Sequence, residues 1–419
     1  MTDSVVVGGG LTGLVCARQL AREGAEVTLF ERESEVGGRV RSVRENGYTF
    51  DRGFQVLFTA YPAAKRELDY DALDLRYFSP GACLARPGER SVLSDPLRDP
   101  GSLVESAFNT EVSLGDKFRT LRLRRRLSKV DPEELFSGGD QTIRAALLER
   151  GFSEDFIENF AAPFYGGITL DRTLSGSAAT FAYTFAMLSR GRIAVPAAGM
   201  GVISEQLADS ARAAGATIET DHEVSAIEGS TVSVGGESVS ADAVVVATDP
   251  KRARELTGVE SIPTDSRGCV TQWYSLSNDL DTGKRLLLNV GEDSPNHVVS
   301  HSEVAPEYAP AGETLLSATF LGGPDESQEE LAERTREALS AWYPERSFDP
   351  LSLLHTNRLP FSQFAQPPGF FTDLPGVRDP GDRVYLAGEY TEWSSIQGAL
   401  ESGRTAAESV VADSTYSSR

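Results

Sequence analysis

Lysine is almost missing from this chain of 419 residues. Lys65, Lys117, Lys129, Lys251 and Lys284 are the only five, which leaves 35 of the 40 basic residues as arginine. Against them stand 62 acidic residues, for a net charge of -22. A polyanion repels another polyanion, so nucleic acid is a poor partner for the chain as a whole. Many carboxylates with few lysines suit a halophilic protein, kept soluble in concentrated salt where surface repulsion is screened. That reading concerns habitat, not chemistry.

Cysteine is scarce too. Cys16, Cys83 and Cys269 are too few and too scattered for a disulfide framework, and none forms a C-x-x-C pair. Of four histidines, His297 and His301 are four apart, yet no nearby third ligand completes a set, so no metal is expected. There is no G-x-S-x-G and no ordered Ser-His-Asp set, which gives hydrolase chemistry no foothold. No basic n-region and apolar h-region open the chain. The longest uncharged stretch, 173–189, is laced with Ser, Thr and Gly, and reads as a buried helix rather than a membrane span. The expectation is a cytoplasmic protein with no transmembrane segment.

What the sequence does have begins at once. Residues 4–7 read as a buried parallel strand ending at Gly8-Gly9-Gly10-Leu11-Thr12-Gly13, which fits G-x-G-x-x-G. An amphipathic helical stretch comes next, Gly24 stops it, and 25–30 reads as a second strand tipped by Glu31, 18 residues past Gly13. Gly8 permits the tight turn, Gly10 lets backbone approach a pyrophosphate, and Gly13 allows close helix–strand packing. The helix N-terminus offers free N–H groups to phosphates, and Glu31 can accept from ribose hydroxyls. A lone glycine fingerprint is a weak signal. Strand, turn, helix, strand and acid together make a dinucleotide site.

The residues past Glu31 separate NAD from FAD: Glu35-Val36-Gly37-Gly38-Arg39-Val40-Arg41, then Asp51-Arg52-Gly53-Phe54. Here the chain resembles the superfamily of flavin amine oxidases, phytoene desaturases and protoporphyrinogen oxidases. The resemblance implies an α/β fold: a Rossmann-like FAD-binding domain with an interleaved α+β substrate domain. It puts Arg32 beside the ribose acid, Gly38 and Arg39 beside the pyrophosphate, and Gly53, Phe54, Gln55 and Val56 close to the flavin. Near the C-terminus a second strand-to-helix junction, 383–387 then Gly388-Glu389 and Ser395-Ile396-Gln397-Gly398-Ala399, is similar to the family's closing motif. Its helix start can face the charge that develops on a reduced flavin ring. Glu389 would serve the ribityl or phosphate end, and Ile396, Gln397, Gly398 and Ala399 the pyrimidine.

A middle piece completes the expected FAD domain. Residues 196–201 lead into a helix over 202–214, strands at 217–219 and 223–227, a hairpin through Gly235-Gly236, and a strand over 243–247. The resemblance places Val224 near the adenine and Thr248 near the FAD. Gly199-Met200-Gly201 is not read as a second fingerprint, because no clean strand feeds it and position 204 is serine. With no second dinucleotide site, the electron acceptor is expected to be oxygen or a quinone. The FAD domain is thus discontinuous, 1–75, 190–254 and 380–419, and 76–189 with 255–379 form the substrate domain. The tail after Asp413 reads as disordered.

Within the superfamily two departures matter. Many amine oxidases place a lysine near the flavin, and the matching strand here, 269–276, has none. Many also carry an aromatic wall residue before the closing helix, where this chain has Ser394-Ser395. The closing segment resembles the desaturase and isomerase branch, and with no Cys or His after His355 the FAD is expected to be non-covalent. The reading is an oxidoreductase removing hydride from a C–H bond of an apolar small molecule. An amine oxidase releasing peroxide is the rival enzyme, and a non-catalytic binding or carrier protein the rival of another class. Phe54, Gln55, Phe164, Tyr165 and Tyr274 are the expected pocket residues, and no catalytic base stands out. The basic run 117–127 reads as a solvated helix face or as a peripheral contact with anionic lipid.

Overall fold

The valines at Val5, Val6 and Val7 and at Val244, Val245 and Val246 are all buried, as strands covered on both faces must be. In the computed structural model, which describes residues 3–94, 112–291 and 294–417, these runs pair in parallel, with Val6 opposite Val245 on one side and Leu29 on the other. They are the centre of a five-stranded sheet ordered Thr217–Glu219, Glu26–Phe30, Asp3–Val7, Ala243–Val246, Val384–Leu386. Every pairing in it is parallel. The sheet is a Rossmann-like one, and three stretches of chain far apart in sequence supply its strands.

The helix Leu11–Arg22 packs against both Gly201–Ala213 and Ile396–Ser417. Arg18 on the first helix is buried, and its guanidinium pairs with the buried carboxylate of Glu67, which also accepts from Arg404 at 2.8 Å. Removing one partner of a buried pair leaves an uncompensated charge, at a cost of about 3–5 kcal/mol. This network ties the first helix to the short helix Pro62–Glu67 and to the last helix of the chain.

A second sheet of seven strands is built from the inserted stretches, in the order Ser352–Phe364, Ser266–Leu276, Thr314–Leu321, His297–Ser300, Leu286–Asn289, Ala82–Arg86, Glu89–Leu93. It is antiparallel except where Leu286–Asn289 meets Ala82–Arg86. The helix Gln328–Trp342, opened by a capping box between Ser327 and Glu330, covers one side with Leu331, Leu339 and Trp342. The stretch 173–189 is largely the helix Ala178–Arg190, capped by Ser177. Among the described residues no helix is long and apolar enough to cross a membrane.

Two expectations are corrected. The tail past Asp413 is helical as far as Ser417, because Asp413 is held by Arg378 at 2.9 Å and by the Tyr385 hydroxyl at 3.0 Å. A clean strand, Ile193–Pro196, does feed Gly199-Met200-Gly201. It pairs antiparallel with Leu57–Phe58 and Leu75–Tyr77, in a small sheet separate from the parallel one. The glycines there seat the helix start on Ser42 rather than opening a second nucleotide site: a Cβ on Gly201 would lie 2.8 Å from Ser42 N.

Candidate cofactor and substrate site

Where the first strand ends, backbone meets backbone. Gly8 has φ +109°, which L side chains rarely adopt, and a Cβ on Gly13 would fall 2.0 Å from the Gly8 carbonyl oxygen. At Gly10 the surroundings are different: an added Cβ would meet nothing within 4 Å, because it would project into a cavity. The helix Leu11–Arg22 starts here without a side-chain cap among the described residues, which leaves its first N–H groups available. A phosphate placed against Gly10 would receive them, together with the positive end of the helix. Glu31, buried at the cavity edge, accepts from Gly9 N at 2.6 Å and from Glu33 N at 2.9 Å.

Across the cavity Arg39 donates to Glu389 Oε1 at 2.6 Å and to the Ser362 carbonyl at 2.9 Å. That pair links the first forty residues to the closing segment. Gln55 Nε2 donates to the backbone oxygens of Arg39 and Arg52, at 2.7 and 3.2 Å, while its Oε1 is buried without a partner among the described residues. The loop is anchored just upstream by Asp51, which accepts from Ser42 Oγ, Met200 N and Tyr308 Oη at 2.6–2.8 Å. Burial pushes the Asp51 carboxyl up to about 6 despite these three donors.

The cavity holds about 750 Å³ and changes character along its length. One part is charged and glycine-rich, with Glu31, Arg32, Arg39, Arg52, Lys251, Arg252 and Glu389. Another is apolar and aromatic, with Phe54, Val56, Phe58, Tyr61, Phe164, Ile168, Leu286 and Trp393. An elongated dinucleotide with a flat ring at one end suits the first part and the boundary, and a hydrophobic ligand suits the rest. Burial holds the Tyr61 hydroxyl above the usual tyrosine range, which keeps it protonated.

Of the residues singled out from sequence, Gly8, Gly10, Leu11, Thr12, Glu31, Arg32, Gly38, Arg39, Gly53, Phe54, Gln55, Val56, Val224, Thr248, Gly388, Glu389, Ile396 and Ala399 all border this cavity, and so does Phe164. Five others do not line it. Gly13 packs on Gly8, Gln397 Oε1 accepts from Ala63 N at 2.9 Å, and Gly398 lies under the Trp393 carbonyl. Tyr165 is buried edge-on against Phe181, and Tyr274 sits in the core under the helix Gln328–Trp342, its hydroxyl donating to Thr335 Oγ1 at 2.9 Å. The two tyrosines are corrections: their side of the local helix or strand faces packed core.

Sequence reasoning missed Trp393, Tyr61 and His297 on the cavity wall. Trp393 was visible, one residue before the Ser394-Ser395 pair read as lacking an aromatic. Tyr61 carried no local signal, because its place on the wall, between Phe58 and Trp393 at 5.2 and 6.4 Å between ring centres, is set by the fold. Among the described residues no three His, Cys, Asp or Glu side chains gather to hold a metal.

The family model for flavin containing amine oxidoreductases matches residues 11–411 of this chain. Protoporphyrinogen oxidase 2 of Arabidopsis thaliana is 29% identical over 162 residues, covering 39% of this chain and 31% of that protein. A carotenoid 3,4-desaturase of Haloarcula japonica is 27% identical over 285 residues, covering 61% of this chain and 57% of the relative. The matches therefore span from about a third to somewhat over half of these relatives' length. The crystal structure of an oxidoreductase from Methanosarcina mazei superposes with a TM-score of 0.76 at 19% identity, covering 97% of this chain and all of that one.

Glu31 gives the sharpest test of the cradle. Glu31→Ala removes a charged acceptor from the cavity edge, and dinucleotide retention should weaken by roughly tenfold to a hundredfold. Cofactor content after extensive dialysis checks this, and unchanged content would place the dinucleotide elsewhere.

Proposed function

The chain belongs to the family of flavin-containing amine oxidoreductases, and from that premise we propose that it is a FAD-dependent oxidoreductase taking hydride from a C–H bond of an apolar organic substrate. The observation that carries this reading is the change of character along one cavity, from glycines and charges to a chamber of aromatic and aliphatic side chains. The chemistry the flavin supplies is acceptance of that hydride, with reoxidation by oxygen or a quinone.

Each part of the cavity wall has a task in this reading. Gly8, Gly10 and the helix start at Leu11 hold the pyrophosphate, with Arg39 as its cation. Glu31 holds the ribose, and Glu389 fixes Arg39. The loop Gly53 to Val56 and the helix start at Ile396 hold the ring. Phe54, Phe164 and Trp393 exclude water and hold the substrate by burial. The FAD-holding part is 1–75, 190–254 and 380–419. In this reading the FAD is non-covalent: the closing segment has neither Cys nor His, and Cys269, which borders the cavity, is buried with its thiol 3.3 Å from Ser362 Oγ.

The desaturase-like branch is favoured over amine oxidation by what the chamber does without. The strand Ser266–Leu276 carries no lysine; Lys251 borders the cavity beside Thr248 and Asp249, with its Nζ 5.6 Å from the centre of the Phe361 ring, which also lines it. The carboxylates that line the cavity among the described residues are Glu31, Glu33, Glu223, Asp249 and Glu389; Asp249 and Glu389 act on Tyr390, and Glu389 is engaged by Arg39. Hydride transfer itself needs no base, and the proton released from the adjacent carbon as the double bond forms would pass to the reduced flavin or to water.

A peripheral contact with anionic lipid is part of the same reading, for a cytoplasmic protein whose substrate dissolves in membranes. On the helix Leu114–Leu127, Leu114 is 78% exposed, Phe118 74% and Leu121 39%. Their spacing puts them on one face, and Arg122, Arg124, Arg125 and Arg126 come directly after in an otherwise acidic chain.

Two measurements test these statements. Mixed anaerobically with polyenes and with primary or secondary amines, the flavin should bleach with the former alone; rapid bleaching by amines, with peroxide formed in air, would establish the rival enzyme. Vesicles containing phosphatidylserine should sediment the protein at low salt and lose it in Phe118→Glu. Equal sedimentation with neutral vesicles, or no effect of the substitution, would remove the membrane contact.

A further inference from the structure

Three neighbouring polar atoms on one buried stretch have no hydrogen-bond partner among the described residues: Asn296 Oδ1, His297 Nε2 and Ser300 Oγ. Leaving such an atom unpaired costs about 1–3 kcal/mol. Of the three residues only His297 lines the cavity, and it is 2% exposed.

The way His297 is held decides what it can do. Asn296 Nδ2 donates to the Pro163 carbonyl at 3.0 Å, a contact only an N–H can make, so the amide orientation is fixed. The same nitrogen lies 3.0 Å from His297 Nδ1. An amide nitrogen offers no lone pair, so Nδ1 is the acceptor and the ring proton sits on Nε2. Burial lowers His297 to about 4, which keeps the ring neutral near pH 7. The ring stands edge-to-face to Phe54, 4.9 Å between centres, and Gly167 lies against its Nδ1 side. His297 is therefore a fixed N–H donor on an aromatic wall, with no lone pair left to act as a base.

We propose that His297 Nε2–H is the polar anchor of the chamber, donating to a neutral carbonyl or hydroxyl oxygen carried by an otherwise apolar substrate. This deepens the proposed function, and rests on it only in taking the aromatic part of the cavity as the substrate's place. A pure hydrocarbon filling the chamber would leave the donor unpaired. A carboxylate is a poor occupant, because a single neutral donor does not offset the desolvation of a buried anion. The substrate class that fits is an oxygenated apolar molecule.

The test compares farnesol with farnesene, an alcohol and a hydrocarbon of the same chain length, by calorimetry on the flavin-loaded protein. Farnesol should bind about tenfold more tightly. The preference should vanish in His297→Phe and survive in His297→Gln, which keeps a donor. Thermal melting of both variants guards against misfolding. Equal binding of the two probes, absence of binding by either, or a preference that survives in His297→Phe would overturn the assignment. Calorimetry reads the chamber without needing flavin chemistry, and flavin content measured on the same samples reports separately on the cofactor reading.

Discussion

The rest of the structure depends on backbone crossings too close for side chains. A Cβ on Gly13 would lie 2.0 Å from the Gly8 oxygen, one on Gly8 2.7 Å from the Ala247 oxygen, and one on Gly403 2.3 Å from the Thr12 oxygen. These contacts seat the first helix on the first strand, the fourth strand of the sheet beside the glycine turn, and the last helix on the first. Residues far apart in sequence are thereby brought to one cleft. Arg39 can then meet Glu389, and Gly10 opens on empty space rather than on packed atoms.

Function arises from the gradient that this assembly creates. Helix-terminal N–H groups and arginines gather where the parallel strands end, and the aromatic wall is assembled from Phe54, Phe58 and Tyr61 early in the chain, Phe164 on the helix Ala162–Thr169 and Trp393 in the closing segment. A dinucleotide bridging the two would bring its ring to the boundary, with phosphates solvated by the protein and the substrate out of water. The chain's contribution to chemistry is then position and exclusion of water, with His297 as a single directional contact.

Much of the cofactor part was legible in the sequence because its requirements are local. A glycine at a crossing, an acid at a strand tip and valine runs buried on both faces each leave a mark at fixed spacing. The chamber was less legible because its walls are set by tertiary packing. Phe164 and Tyr165 are adjacent, yet only Phe164 lines the cavity, and no spacing rule at that helix decided between them. Tyr274 lies on a strand whose alternation turns it toward the helix Gln328–Trp342. The strand feeding Gly199 went unread because it is short and pairs outside the main sheet. His297 was weighed only as a metal ligand, since its relation to Asn296 and Pro163 exists only in the fold.

The most direct measurement is the visible absorption spectrum of the purified protein, with heat release and identification of whatever was bound. The account predicts an oxidised-flavin spectrum and intact FAD in the supernatant. A colourless protein that takes up no added FAD would contradict it and leave the fold as that of a binding protein.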